Sequence, residues 1–555
     1  MRDLRRSPAA LALLCAAVAL VVHLAALRNG FAYDDVPAIL GDPRVTAGDL
    51  PATLLTEPYW SARGEELGIW RPAVTLSYAI DWLVSGGSAV WYHAANLLWH
   101  ALATALATLL LLRLFPPLAA AAGGLLFAVH PVHAEAVANV VGRAEPMAAA
   151  AVFAAGLLWL RGGRLAAAGV AALYAFGLAA KESAVMLPAL LVLLDLGVAR
   201  LRWEPESARR WLRERGAALA ALAVVLVLYA AARLAVLGGA APGLPHPAAE
   251  AATGPLDRLQ TALQVWPQYT RLLLFPRVLL ADYSPRVLMP AEQWSAAAVL
   301  GATLLIAFVG GGLIAARAGR GRTALGLLWL PVAILPVSNL LVTIGTLLAE
   351  RTLYLPSFAL AIAVAAAWQR AARIREEGLP RRGAAVAATV LLAITLFALR
   401  TIERVPEWRS TASIFDAVER DAPESFRVGW YRAREARQTQ GAVQAVPHFA
   451  RAIELWPSRR GLVLEAAGNA VEAGNLREAR RLALRLIAIA PDEVEGHRML
   501  AAVSLDLGDR ATARRAVARG LAITPEEPLL LRMRDALTGA TPADTAAASP
   551  SPTQP

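Results

Sequence analysis

Charge is scarce in this chain, and two reactive residue types are almost missing. Of 555 residues only 17% are Asp, Glu, Lys or Arg, against about 25% in soluble domains. Hydrophobic residues make up 57% and the mean hydropathy is +0.48. Together these exclude a soluble globular chain and define a membrane protein. The one cysteine, Cys15, lies inside the first apolar run, which excludes an intramolecular disulfide, a cysteine metal cage and sulfur-based cofactor chemistry. Lys181 is the one lysine, so nearly all the basic charge is arginine. A net charge of +11 would suit nucleic acid, but the arginines fall between apolar runs, where they set membrane orientation. Nucleic acid is therefore excluded as a partner.

What is present is a series of apolar runs near 8–27, 93–114, 117–131, 145–160, 164–179, 183–197, 216–236, 295–315, 323–340, 352–369 and 384–400. These predict an all-α polytopic membrane domain, residues 1–400, of about eleven transmembrane helices. The first run follows Arg2, Arg5 and Arg6, has no clear small-residue cleavage site after it, and is expected to be a retained anchor. With the N-terminus in the cytoplasm, the inside loops collect Arg113, then Arg161 and Arg164, then Arg200 to Arg215, then Arg317, Arg320 and Arg322, then Arg370 to Arg382. That alternation follows the positive-inside rule. It leaves two long segments outside, 28–92 and 237–294, the second holding His246 in a Pro/Ala-rich stretch. The expected location is the inner membrane, with the polar loops and the C-terminus on the outer face.

After an expected linker at 401–422 a repeat begins. Pro423, Pro457, Pro491 and Pro525 are spaced 34 residues apart, the period of tetratricopeptide helix pairs. Gly474 and Gly508 then fall at the turns within a pair, and Ala445, Phe449, Ala452, Ala479 and Ala513 at packing positions. Residues 423–537 are accordingly expected to form a C-terminal tetratricopeptide α-solenoid. The Ala/Pro/Thr/Ser-rich end, 538–555, is expected to be disordered.

On this topology the unusual polar groups converge on the outer face: Asp34 and Asp35, HPVHAE at 130–135, Arg143 with Glu145, Lys181 with Glu182, and Glu350-Arg351 with Tyr354. Ionisable groups at membrane depth are costly and mark functional sites. Two adjacent carboxylates cannot both ionise cheaply, so one of Asp34 and Asp35 can serve as a base while the other orients a donor or binds a cation. Trp60, Trp70 and Trp82 in the segment that follows read as interfacial helices. His93, Asn96 and His100 share one helix stripe. His130, His133 and Glu135 supply either a divalent-metal site or hydrogen bonds to a charged substrate. A chain that otherwise uses arginine points to a need for a compact ammonium at Lys181. A lipid-donor phosphate is the partner expected for it, together with Arg143 and Arg351; a structural pair with Glu182 is the alternative.

The segments FAYDD, WRPAVTLSYAID, YHAANLLWH, FAVHPVHAEAVANVVGRAE, AKES, PVSNLL and AERTLYLPS, followed by the repeats, resemble the transmembrane and tetratricopeptide-repeat O-mannosyltransferase family, and the Ala/Arg-rich composition resembles a bacterial member. The resemblance implies a glycosyltransferase that moves mannose or another hexose from a polyprenyl-phosphate carrier to a hydroxyl of a protein or cell-envelope acceptor held by the repeats. It implies that Asp34 or Asp35 is the base, that Glu135 and His133 shape the acceptor or metal side, that Lys181, Arg143 and Arg351 stabilise the leaving phosphate, and that Tyr354 closes the pocket. His93, His130, Glu145, Glu182 and Glu350 complete the expected pocket. A lipid-linked oligosaccharide ligase or polymerase, or a non-enzymatic membrane-anchored repeat scaffold, remains an alternative at this point.

Overall fold

Every apolar run carries a helix, as backbone in hydrocarbon must satisfy its own hydrogen bonds. The structure, a computed structural model, describes residues 7–60, 68–238, 254–284, 286–291, 293–341 and 344–538, and no strand occurs among them. Arg2, Arg5, Arg6, His246 and the tail from 539 lie outside the described residues.

Among the described residues six helices are long and apolar enough to cross a membrane: Pro8–Arg28, Ala89–Leu111, Val140–Arg161, Pro205–Leu237, Ala296–Arg317 and Pro380–Trp408. The protein is therefore an all-helical integral membrane protein. Other expected spans fall on shorter apolar helices, Arg164–Ala180 and Gly321–Val337 among them. The pair Pro117–Val129 and Pro131–Ala138 is apolar enough but bends by 46°. The bend follows from the sequence. Pro131 forces His130 into extended backbone, at φ −68° and ψ 124°, which ends the helix one residue earlier.

The chain divides into two compact units, residues 1–283 with 289–417 and residues 284–288 with 418–555. In the first, the helix Ala89–Leu111 packs against Pro8–His23, Pro117–Val129 and Ala144–Arg161. The alanine-rich span Val140–Arg161 is 89% buried, whereas Pro205–Leu237 is 6% buried, so the former is the centre of the unit and the latter lies at its edge. Small side chains let helices approach where lipid offers no hydrophobic drive.

The stretch 401–422, read from the sequence as a linker, is helical over Pro380–Arg404, Val405–Trp408 and Thr411–Asp421. Trp408 and Val405 are buried with Ala26, Ala32, Ala134 and Ala138. A buried tryptophan at that place turns the expected tether into part of the membrane unit, and the boundary falls at 417/418.

In the second unit the helices Phe426–Thr439, Ala442–Leu455, Arg460–Glu472, Leu476–Ile489, Val494–Asp506, Arg510–Ile523 and Pro528–Thr538 each pack on the next. Pro457, Pro491 and Pro525 stand just after helix ends, and Phe426, Ala445, Phe449, Ala452, Trp456 and Ala479 share one core.

Candidate active site

The first acids sit in a loop that both ends of the membrane unit hold. The side chain of Asn29 donates to the carbonyl of Val405 (3.2 Å), the N–H of Gly30 to that of Arg409 (3.0 Å), and the N–H of Tyr33 to the hydroxyl of Thr411 (2.9 Å). Tyr33 is left-handed at φ +53°, a conformation that a bulky residue adopts only where its surroundings enforce it. The two adjacent carboxylates consequently meet different environments. Asp35 is fully buried and accepts N–H groups from Val141 (2.8 Å) and Ala32 (3.2 Å). Burial pushes its carboxyl up to about 7, against the pull of those N–H groups. Asp34 is half-buried, and none of the described residues donates a hydrogen bond to its carboxylate.

The 134–145 segment reaches this loop through a tight reversal. Gly142 lies so close to the preceding turn that a Cβ there would stand 2.6 Å from the carbonyl oxygen of Glu135, so only glycine fits. Asn96 ties the same segment down, donating to the carbonyl of Asn139 (3.0 Å) and accepting from Nε of Arg143 (2.7 Å). Arg143, 1% exposed, also reaches Asp81 (2.5 Å), Ser77 (3.1 Å) and the Tyr92 carbonyl (3.0 Å), with its guanidinium near the rings of Tyr78 and Tyr92. Its hydrogen-bonding capacity is thus spent on protein, which runs against the phosphate contact expected of Arg143.

Arg351 is placed differently. Both oxygens of buried Glu135 hold it, one on its backbone N–H (2.8 Å) and the other on the guanidinium, yet its side chain keeps 27% exposure. Burial pulls against its charge, but Glu135 and Asp34 together more than offset that and hold it above the ordinary arginine value. Asp34 and Arg351 therefore act on each other electrostatically.

Lys181 pairs with Glu145 at 2.6 Å, and not with adjacent Glu182. Its extended backbone, φ −156° and ψ 136°, ends the helix Arg164–Ala180 and turns the two side chains apart. Burial holds its ammonium below the ordinary lysine value even with Glu145 opposing; Arg71 and Arg351 add to the depression. Glu182 is instead taken by Arg71 (2.8 Å), with Arg233 at 3.7 Å. Though burial works the other way, Arg71 holds its carboxyl down at about 2. Sequence reasoning missed Arg71 and Arg233; the one available signal was that Arg71 lies in WRPAVTLSYAID, among interfacial tryptophans.

The histidines form a second, drier group. Nε2 of His93 meets the Gly30 carbonyl (3.2 Å); His130 contacts the Leu273 carbonyl (3.1 Å) through Nε2 and accepts from Val132 through Nδ1 (3.3 Å). His133 meets the Ser357 hydroxyl (2.8 Å), and the Tyr354 hydroxyl meets Nδ1 of His100 (2.6 Å). The rings of His100, His130, His133, Tyr354 and Phe127 meet edge-on or tilted in a buried cluster, while His93 lies apart from it. Tyr354 thus packs inside the unit, where it does not border an open pocket. Glu350, also buried, accepts from Tyr283 (2.8 Å) and from the N–H of Leu280, with Arg404 at 3.7 Å. Burial is the main cause that pushes its carboxyl up to about 7. No group of three or more His, Cys, Asp or Glu side chains among the described residues is arranged to hold a metal. His130 is engaged by Leu273 and Val132, and Glu135 by Arg351.

The structure thus defines a multi-span helical membrane protein in which Asp34, Arg351, Lys181, Arg71 and their carboxylate partners form one electrostatic cluster. Its curated homologues are protein O-mannosyl-transferases of the TMTC group. The chain is 41% identical to Tmtc1 of Drosophila melanogaster over 135 residues, 24% of this chain and 16% of the relative. It is 35% identical to Tmtc2 of the same fly over 302 residues, 50% and 31% of the two chains. It is 25% identical to mouse TMTC3 over 505 residues, 86% of this chain and 54% of that one. This chain spans about half the length of that mouse relative, and less of the two fly proteins. No family model matches it.

Proposed function

We propose that this chain is a glycosyltransferase that moves a sugar from a polyprenyl-phosphate carrier to a hydroxyl of a protein acceptor on the outer face of the membrane. The relatives are named protein O-mannosyl-transferases, which supports the reaction class. The observation that carries the reading is the division between neighbouring acids. Asp35 is a buried strut on backbone N–H groups, whereas Asp34 is a half-buried carboxylate without a donor whose charge helps hold the partly exposed Arg351 above its ordinary value.

In this reading Asp34 takes the proton of the acceptor hydroxyl while that oxygen attacks the anomeric carbon. The bond from that carbon to the lipid phosphate breaks and the configuration inverts. The departing phosphate carries its charge toward Arg351, Lys181 and Arg71, where preorganised cations stabilise it at no reorganisation cost. Glu135, Glu145 and Glu182 seat those cations, and Arg143 braces the loop that holds Asp35. Glu350, His93, His130, His133 and Tyr354 keep the surrounding shell in register.

The eleven-span topology and the outer-face location belong to this proposal; in their support, the turns at Arg113, Val198 and Arg320, all assigned inside from the sequence, border one recess. The 34-residue pitch and the successive helix packing of 426–538 support tetratricopeptide repeats on the outer side that hold the acceptor.

The test is reconstitution of the purified chain with radiolabelled polyprenyl-phosphate mannose and an unfolded secretory protein. Label should appear on acceptor hydroxyls. Transfer from a nucleotide sugar with lipid-linked donors inert would overturn the reading.

A further inference from the structure

A second set of unpaired charge lies away from the acids, where three interhelical turns meet. Arg113 stands in the turn before the helix Pro117–Val129, Gly197 to Ala199 end the helix Leu187–Gly197, and Gly319 to Thr323 join Ala296–Arg317 to Gly321–Ile334. They line a recess of about 370 Å³ that contains three arginines, Arg113, Arg320 and Arg322, and no carboxylate. All three side chains are exposed, and none makes an ion pair among the described residues. Arg322 lies over the ring of Phe115, 5.6 Å from its centroid, which holds one wall of guanidinium in place.

The recess is built, as its turns interlock. A Cβ on Gly321 would stand 1.9 Å from the carbonyl oxygen of Leu196, so only glycine lets the two turns close. Closure leaves the helix Gly321–Ile334 without a side-chain cap, so its first N–H groups lack intrahelical partners and add to the positive field. Three guanidinium groups without counter-ions, at the ends of apolar helices, match a phosphate carried at the same depth. A membrane lipid headgroup has that chemistry and that place.

We propose that this recess binds the phosphate of an anionic phospholipid, on the side of the membrane opposite the acid cluster. The lipid bridges the turns at 113, 198 and 320. This site is independent of the transferase reading.

The test uses the purified full chain in nanodiscs of phosphatidylcholine doped with phosphatidylglycerol, with retained lipid read by native mass spectrometry. Wild-type protein should keep phosphatidylglycerol, and the triple variant Arg113→Gln, Arg320→Gln, Arg322→Gln should bind it about ten-fold or more weakly. Arg381→Gln with Arg382→Gln, another exposed basic turn, should change little. The melting temperature in pure phosphatidylcholine reads folding separately, and the triple variant should match wild type there while losing the rise that phosphatidylglycerol gives the wild type. Equal retention by the wild type and the triple variant would overturn the proposal. Inorganic phosphate that displaces the lipid at equal concentration would also overturn it, in favour of a soluble anion.

Discussion

Glu135 holds Arg351 at two points, through the backbone N–H and through the guanidinium, across 216 residues of chain. The pairing joins HPVHAE to AERTLYLPS. It leaves the Arg351 side chain partly exposed. If Glu135 acts by positioning Arg351, its removal should matter only while Arg351 is there to be positioned. Glu135→Gln should lower transfer by ~10-fold, and adding it to Arg351→Ala should cost nothing further. Additive losses in the double-variant cycle would assign Glu135 a separate role.

Lys181 and Glu145 form a buried pair, 7% and 4% exposed. Lys181→Met should destabilise the fold by ~3–5 kcal/mol, as it leaves a carboxylate buried without its counter-charge. Adding Glu145→Gln should restore much of that in thermal unfolding. Donor affinity should stay reduced by about ten-fold in the restored double variant, since the phosphate has still lost a charge-assisted contact. Full recovery of donor affinity would confine Lys181 to a structural role.

Stability should respond to pH through buried acids held in their protonated form. The Asp35 and Glu350 carboxyls are both pushed up to about 7 in the folded protein, while unfolded carboxyls titrate near 4. Between those limits the folded state binds more protons than the unfolded one, so stability is full below about pH 4 and falls as pH rises toward 7. Glu182 works in the opposite sense: held at about 2, it contributes above the unfolded value and is lost only as pH falls further. Melting temperature followed from pH 4 to 8 should decline, and Asp35→Asn or Glu350→Gln should each flatten part of the decline. An unchanged slope in both variants would show that other groups set it.

The unit boundary at 417/418 places the repeat helices beyond the acid cluster in the chain. A chain ending at 417 should still transfer sugar to a small hydroxyl acceptor, yet lose most activity on an unfolded protein if the helices after 418 hold the acceptor as proposed. Equal rates on the protein acceptor with and without the repeats would remove that role.

Features set by local chemistry were legible in the sequence. The apolar runs became helices, and the 34-residue proline spacing marked the helix ends at Leu455, Ile489 and Ile523; the break at Pro131 inside the run 117–131 was not read from the sequence. Polar groups scattered over 300 residues were expected in one region; the structure pairs Glu135 with Arg351 and Glu145 with Lys181. Partner choice was not legible, since it depends on tertiary geometry. Lys181 passes over its neighbour for a carboxylate 36 residues away, and Arg143 is consumed by Asp81 and Asn96. The linker reading of 401–422 failed for a related reason: Trp408 and Thr411 look unremarkable in sequence, yet Trp408 is buried and Thr411 accepts from the acid loop.

The most direct test of the account compares Asp34→Asn with Asp35→Asn in the reconstituted transfer assay, with thermal unfolding of both. Asp34→Asn should lower kcat by ~100-fold or more, with donor KM and melting temperature near wild type. Asp35→Asn should instead show itself first in the melting temperature and its pH dependence. Near-normal turnover by Asp34→Asn, or loss of turnover in Asp35→Asn at unchanged stability, would contradict the assignment of Asp34 as the base.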